Sequence, residues 1–317
     1  MPDNLSFVHE IAELLEISYD SAYRRIRGEK ELSLEELVRL SSKYNISLDS
    51  LLKSGGNNVV FRHYRLEPSS FTIKEWLTII QQDMWRIHQA REKEIIYAAK
   101  DPPLFHYFHF PELAAFKFFF WEKTLFDFPQ HEEKRFRMED TDHEIVEIGR
   151  KILRASMNIP TVEIWNEDTF NILFRQIEYY WISGYFEKKD DMANLLDKLE
   201  KWVRHIQKQA DHGFKFLYGE PAEGIENSFM MYENEVVLND NTIFVKLNDH
   251  PIVYLTYNVL SLLISDDPSL CSNVENYMHM LLRKSNLISL TGSKERNRFF
   301  NTMYNTIDRT KTRFDLG

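Results

Sequence analysis

Between Ser18 and Lys30 the chain gathers the phenols Tyr19 and Tyr23, the carboxylate Asp20, the hydroxyls Ser18 and Ser21, and the basic groups Arg24, Arg25, Arg27 and Lys30. This set has no nucleophile–base pair and no metal-ligand spacing. Its chemistry is hydrogen bonding and charge neutralisation, as needed against the base edges and phosphates of a duplex. If the segment is a helix, roles divide by position. Tyr19, Asp20 and Tyr23, near its start, are candidate base readers. Arg24 suits either a guanine edge or a phosphate, because its planar fork matches both. Arg27 and Lys30 are candidate phosphate contacts, and Ser18 and Ser21 are candidate donors to phosphate.

The flanking elements are those that would present such a helix. Phe7, Val8, Ile11, Ala12, Leu14 and Leu15 recur at helical spacing, so one face of residues 6–16 should be buried. Ile17 falls into the core at the turn, and Ser18 is an N-cap for the next helix. Ala22 and Ile26, four apart, are expected to seat that helix, the small Ala22 allowing close crossing. Gly28 ends it in a left-handed cap. Ser33 and Glu36 make a capping box for a third helix carrying Leu34, Leu37, Val38 and Leu40, with Asn45 as its C-cap. A further start lies at 47–52, and Ser54-Gly55-Gly56-Asn57-Asn58 is a flexible linker.

Residues 5–52 resemble the phage-repressor-like helix-turn-helix domain of bacterial transcription regulators, the XRE or Cro/repressor type. The resemblance is carried by Ile11-Ala12-Glu13-Leu14-Leu15-Glu16-Ile17-Ser18, by Arg24-Arg25-Ile26-Arg27-Gly28 and by Leu32-Ser33-Leu34-Glu35-Glu36-Leu37. It covers about a sixth of the chain, and it implies binding of operator DNA as a dimer. Three departures stand out. The helix that usually precedes Phe7 is expected to be lacking. Glu16 stands at a turn position often held by Gly or Asn, where a left-handed backbone costs energy. Arg25 stands at a position that is often apolar.

Charge argues in the opposite direction. The 317 residues carry a formal net charge of −10. Residues 1–53 hold seven Lys or Arg against ten Asp or Glu, and residues 291–317 hold six against three. An acidic reading domain is not the electrostatic footprint of a protein that coats DNA. The basic groups are nevertheless concentrated at 24–30, while Glu10, Glu13 and Glu16 lie on the preceding helix. This charge motivates a second reading, an interaction or ligand-sensing module whose small domain no longer binds DNA.

The chain is 43% hydrophobic and 14% aromatic, enough for a large core and about two domains. Cys271 is the only cysteine, which excludes an intrachain disulfide and a Cys-based zinc site. Met1-Pro2-Asp3-Asn4 lacks the features of a secretory signal. The most apolar run, 252–264, is interrupted by Thr256, Asn258 and Ser261 and is shorter than the roughly 20 residues of a membrane span. A cytoplasmic protein is expected.

Beyond the linker, Val59–Leu66 reads as a strand and Pro68-Ser69-Ser70 as the opening of a helix lined by Trp76, Ile80, Met84 and Ile87. Glu94–Ala99 leans to strand. Nine rings follow from Phe105 to Trp121, with Pro111 starting a helix. Helices are expected at 143–159, 167–186, 189–212, 252–265, 272–284 and 293–311, and a β-hairpin pairing Phe229–Leu238 with Thr242–Leu247.

Other chemistry is thin. His106 and His109 beside Glu112 invite a metal reading, but aromatic packing with polar tips at the surface explains them more simply, and His131-Glu132-Glu133 and Asp142-His143-Glu144 read as charge-rich loops or helix starts. No HExxH, phosphate-binding glycine loop, dinucleotide fingerprint or nucleophile elbow occurs, and 10 glycines leave little for a phosphate cradle. The aromatic block reads as core before it reads as a ligand pocket. Lys294, Arg296, Arg298, Arg309, Lys311 and Arg313 make the last helix basic, and pairing with the acidic body is the favoured role.

The expected fold is mainly α, with a helix-turn-helix domain at 1–53, a linker at 54–58, and a large mostly helical domain with a few strands (α+β) at 59–317. The expected function is a sequence-specific DNA-binding transcription regulator. Its partners would be double-stranded DNA, a second copy of the chain and an unknown small-molecule or peptide effector. No enzyme activity, cofactor, metal or membrane association is expected.

Overall fold

Strands apolar on both faces build the centre of the larger part of the chain, and helical periods build what surrounds it. The computed structural model describes residues 4–44, 46, 58–63, 71–235, 238, 240–258 and 260–315. The chain divides into two compact units, residues 1–60 and 61–317.

In the first unit α1 (Asn4–Leu15), α2 (Tyr19–Ile26) and α3 (Leu34–Tyr44) surround a small core. Val8, Ile11 and Leu15 of α1 meet Ala22 of α2, with Ala12, Ile17, Leu40 and Tyr44 partly buried around them. The structure corrects several expected core positions. Ile26 is 42% exposed and does not seat α2 with Ala22. Phe7 is also exposed, as are Leu34 and Val38, so α3 docks without a fully buried side chain. The Asn45 cap, the helix start at 47–52 and linker residues 54–57 lie outside the described residues.

The second unit is built on an eight-stranded mixed sheet of order β1-β7-β6-β5-β2-β3-β4-β8. The strands are β1 (Arg62–His63), β2 (Lys93–Ala98), β3 (Thr161–Trp165), β4 (Phe229–Glu233), β5 (Thr242–Leu247), β6 (Ile252–Thr256), β7 (Leu262–Ser265) and β8 (Asn286–Leu287). Two parallel pairings, β2 with β3 and β3 with β4, need long crossovers. The first crossover holds α5 (Leu104–Tyr107), α6 (Pro111–Phe120) and α7 (His143–Met157), preceded in the chain by α4 (Ile73–Gln89). The second holds α8 (Glu167–Ile182) and α9 (Lys189–His212). After the sheet come α10 (Pro268–Arg283) and α11 (Ser293–Arg313).

The strands alternate between two faces. Ile95, Val245, Ile252, Tyr254, Phe229 and Met231 enter the main core with α4–α9 and α11. Ile96, Ala98, Ile164, Phe244 and Val253 enter a second core with Cys271, Met278 and Leu281 of α10. The central strands are therefore buried on both sides. Most of the aromatic block is core: Phe105, Tyr107, Phe108, Phe110, Phe116, Phe118, Phe120 and Trp121 are buried.

The α+β class fits, while particular elements differ from expectation. Residues 252–265 form the antiparallel pair β6–β7 instead of a helix. An apolar run is equally compatible with either, and here Asn258 decides, its side chain accepting the Ser261 amide at 2.8 Å to close the turn. The expected 229–247 hairpin does not form, because β4 pairs with β3 and β8 while β5 pairs with β2 and β6. Asn241, between the two expected strands, accepts the Lys100 and Asp101 amides at 2.8 and 3.1 Å and ties that loop to the end of β2. Strand β3 had no counterpart in the sequence reading. Of the strand expected at 59–66, only Arg62–His63 is strand, and 64–66 and 68–70 lie outside the described residues. The α4 helix begins at N-cap Thr72, whose hydroxyl accepts the Glu75 amide at 3.2 Å.

The main-core face also buries ionisable groups. Glu163 at the centre of β3 accepts from His106 Nε2 at 2.9 Å and from the Trp165 indole at 2.8 Å. Lys117 pairs with Asp101 at 2.5 Å. Lys215 donates to the Ile159 carbonyl at 2.7 Å and to Thr161.

Candidate nucleic-acid interface

The turn between α1 and α2 is set by backbone hydrogen bonds. The Ile17 amide donates to Ala12 O at 3.0 Å and the Glu16 amide to Glu13 O at 3.2 Å, the paired bonds of a Schellman cap. Glu16 takes the left-handed residue of that cap, φ 55°. The same device ends α2: Gly28, φ 73°, donates to Arg25 O at 3.0 Å and Glu29 to Arg24 O at 2.8 Å. With α1 stopped at Glu16 and α2 at Gly28, α2 is only eight residues long.

At its start, Ser18 accepts the Ser21 amide at 3.3 Å and donates to the Ser21 hydroxyl at 3.0 Å. Both expected phosphate donors are thus engaged in capping, with Ser18 exposed. Ala22 faces the core. The opposite face carries Tyr19, Asp20, Tyr23, Arg24 and Arg27, all exposed, with Lys30 exposed beyond the cap. Tyr19 leans on His9 of α1, ring centroids 4.5 Å apart. The Arg27 guanidinium lies over the Tyr23 ring at 5.6 Å. The expected reading residues therefore share one outward surface, apart from Ser21, which is half-buried.

Glu29, just beyond the Gly28 cap, faces this surface too. It pairs with Arg27 at 3.1 Å and approaches Arg24 at 4.0 Å, so both guanidiniums share a single exposed carboxylate. Such a pair is worth little in water and exchanges readily for a phosphate.

Arg25 is the residue whose role was missed. Its side chain is 8% exposed, and its guanidinium grips Glu36 by two bonds, 2.7 and 3.0 Å, while donating to Ser21 O at 3.2 Å. Glu36 also closes the capping box, accepting the Ser33 amide at 2.9 Å while Ser33 accepts the Glu36 amide at 3.2 Å. Arg25 first, and then the Ser33 amide, hold the Glu36 carboxyl below the usual carboxylate range. This fork joins α2 to α3 in place of the apolar contact expected from Ile26. The available signal was the coincidence of a basic residue at an apolar position with a glutamate already fixed by a cap.

The other candidate groups serve packing. His106 is taken by Glu163, and the His109 ring meets His205 at 4.4 Å. Among the described residues no cluster of three or more His, Cys, Asp or Glu is placed to hold a metal ion. In α11, Arg298 pairs with Glu233 at 2.8 Å, Lys311 with Asp197 at 2.6 Å, Arg313 with Glu178 at 3.1 Å, and Arg296 with Asp211. Those cations neutralise the acidic body of their own unit. Among the described residues no helix is long and apolar enough to cross a membrane.

Residues 6–63 match the family described as the BetR domain, a helix-turn-helix-type regulator domain. The match points, at a coarse level, to a DNA-binding regulator. Comparison with curated proteins and with solved structures gives no match.

Proposed function

We propose that the chain is a sequence-specific transcription regulator of the XRE or Cro/repressor type, with α2 as its reading helix in the major groove. One observation carries this reading: α2, entered by a tight turn and stopped sharply at Gly28, presents Tyr19, Asp20, Tyr23, Arg24 and Arg27 on one open face while Ala22 and Arg25 anchor the other. Tyr19, Asp20 and Tyr23 read base edges, Arg24 pairs with a guanine or phosphate, and Arg27 and Lys30 hold phosphates. Ser18 and Ser21 keep the helix start in position. By its resemblance to dimeric repressors, the protein acts as a homodimer on paired half-sites, and the second unit takes up a signal.

The test is binding of the full chain to duplex DNA, measured by anisotropy at several salt concentrations. Affinity falls linearly on a log–log plot with salt, as phosphate neutralisation requires. On an identified site, Arg24→Ala loses about 1–3 kcal/mol of binding. Absence of binding at micromolar protein and low salt would overturn the reading in favour of a module that has lost DNA affinity.

A further inference from the structure

We propose that the second unit holds a binding site for a neutral, single-ring aromatic molecule bearing a hydrogen-bond-accepting oxygen. The site is a cavity of about 160 Å³ between the inner face of the sheet and helices α4 and α6. Its size sets the ligand's size: an apolar cavity of about 150 Å³ accepts one benzene. Its walls set the ligand's character. Trp76 and Trp121 meet edge to face at 5.8 Å on the helical side, and Ile95, Ile243 and Tyr254 line the strand side.

Charge excludes ions. Lys117 is the one basic side chain lining the cavity among the described residues, and it is fully buried and already neutralised by Asp101. Its ammonium also donates to Gln176 at 3.1 Å. Asp83, the other charged lining group, lies 3.9 Å from Arg86 and accepts from Tyr254 at 3.4 Å. An organic anion would meet two carboxylates and no unpaired cation. An organic cation would lose its hydration against carboxylates that already have partners.

Polar recognition comes from two donors on neighbouring strands. Tyr97, on β2, lines the cavity, and its hydroxyl has no hydrogen-bond partner among the described residues. Asn241, at the entrance to β5, spends its carbonyl oxygen on the Lys100 and Asp101 amides, which leaves its NH₂ to donate. Tyr97 pairs with Ile243, two residues beyond Asn241, so both donors line the cavity near the β2–β5 seam. Two donors facing an aromatic box call for an acceptor oxygen on a ring, as in an aryl ketone, aryl amide or phenol. As the effector site of a regulator, this cavity rests on the DNA-binding reading; as a ligand site it stands without it, and its test uses no DNA.

The experiment is calorimetric titration and thermal melting of the full chain with acetophenone, benzene, benzoate and benzylammonium. Saturable binding of acetophenone with a rise in melting temperature is expected, with benzene at least several-fold weaker and both ions silent. Tyr97→Phe, which preserves shape, should weaken acetophenone about tenfold while leaving benzene unchanged. Ile80→Phe, which fills the cavity from α4, should abolish binding of both, its own melting curve showing whether it folds. No saturable acetophenone binding at millimolar concentration overturns the proposal. So does tighter binding of either ion, or an affinity untouched by Tyr97→Phe.

Discussion

Arg24 and Arg25 are adjacent and chemically identical, yet one is spent on the fold and the other is offered to solvent. A helical step of 100° separates them, and that step puts Arg25 against Glu36 while Arg24 remains on the open face. The helical period alone made the outward set Tyr19, Asp20, Tyr23, Arg24 and Arg27 legible. It did not reveal that Arg25 would displace Ile26 from the inner face, because a buried guanidinium is stable only with a fixed partner three-dimensionally close and eleven residues away. Glu29 gives the sharpest prediction at this scale. Glu29→Gln releases Arg24 and Arg27 from their shared carboxylate and removes a charge that repels phosphate. Duplex binding should tighten about two- to fivefold, the worth of an exposed ion pair. An anisotropy titration showing weaker binding would mean that Glu29 itself contacts the site.

Turns and strands behave differently as elements. The C-terminal stops of α1 and α2 are the same hydrogen-bonded cap, but Gly28 enters the left-handed region freely whereas Glu16 does so against its Cβ. Glu16→Gly should therefore stabilise the protein by about 0.5–1 kcal/mol in chemical denaturation, despite loss of the exposed Glu16–Arg39 pair. Destabilisation would show that this pair or the side chain's packing outweighs the backbone term. The caps at Ser18, Ser33 and Gly28 were legible because they are local chemistry, with donor and acceptor within a few residues. The strands were not. Ile252–Thr256 and Leu262–Ser265 are sandwiched between two cores, so both faces are apolar and the period-two signature is erased. Strand β3 escaped for a related reason: Glu163 on its inner face breaks the apolar pattern, and its partners His106 and Trp165 are brought to it by the fold.

For the whole molecule, the net charge of −10 and a DNA-binding role are reconciled by where the cations are placed. Four of the basic groups of α11, Arg296, Arg298, Lys311 and Arg313, are paired within the second unit, whereas Arg24, Arg27 and Lys30 remain at the surface of the first. Global stability carries a separate electrostatic mark. Burial holds the Lys215 ammonium down to about 7, partly opposed by Glu163. An unfolded lysine titrates near 10.4, so between about pH 7 and 10.4 the unfolded chain binds the extra proton. Stability therefore rises with pH across that window, and below it the folded state bears the full cost of the buried charge. Lys215→Met should remove this rise and stabilise the protein at pH 6, since Thr161 still donates to the Ile159 carbonyl at 3.0 Å. A wild-type stability curve flat from pH 7 to 10 would contradict this assignment.

The most direct test of the regulator reading is selection of bound duplexes from a random pool by the full chain, repeated with Arg24→Ala. Enrichment of a two-fold symmetric site with half-sites one helical turn apart, about 34–36 Å, is expected, with loss of preference at one base pair per half-site in the variant. A pool that stays unenriched, or a variant that selects the same site with the same affinity, would contradict α2 as the reading helix.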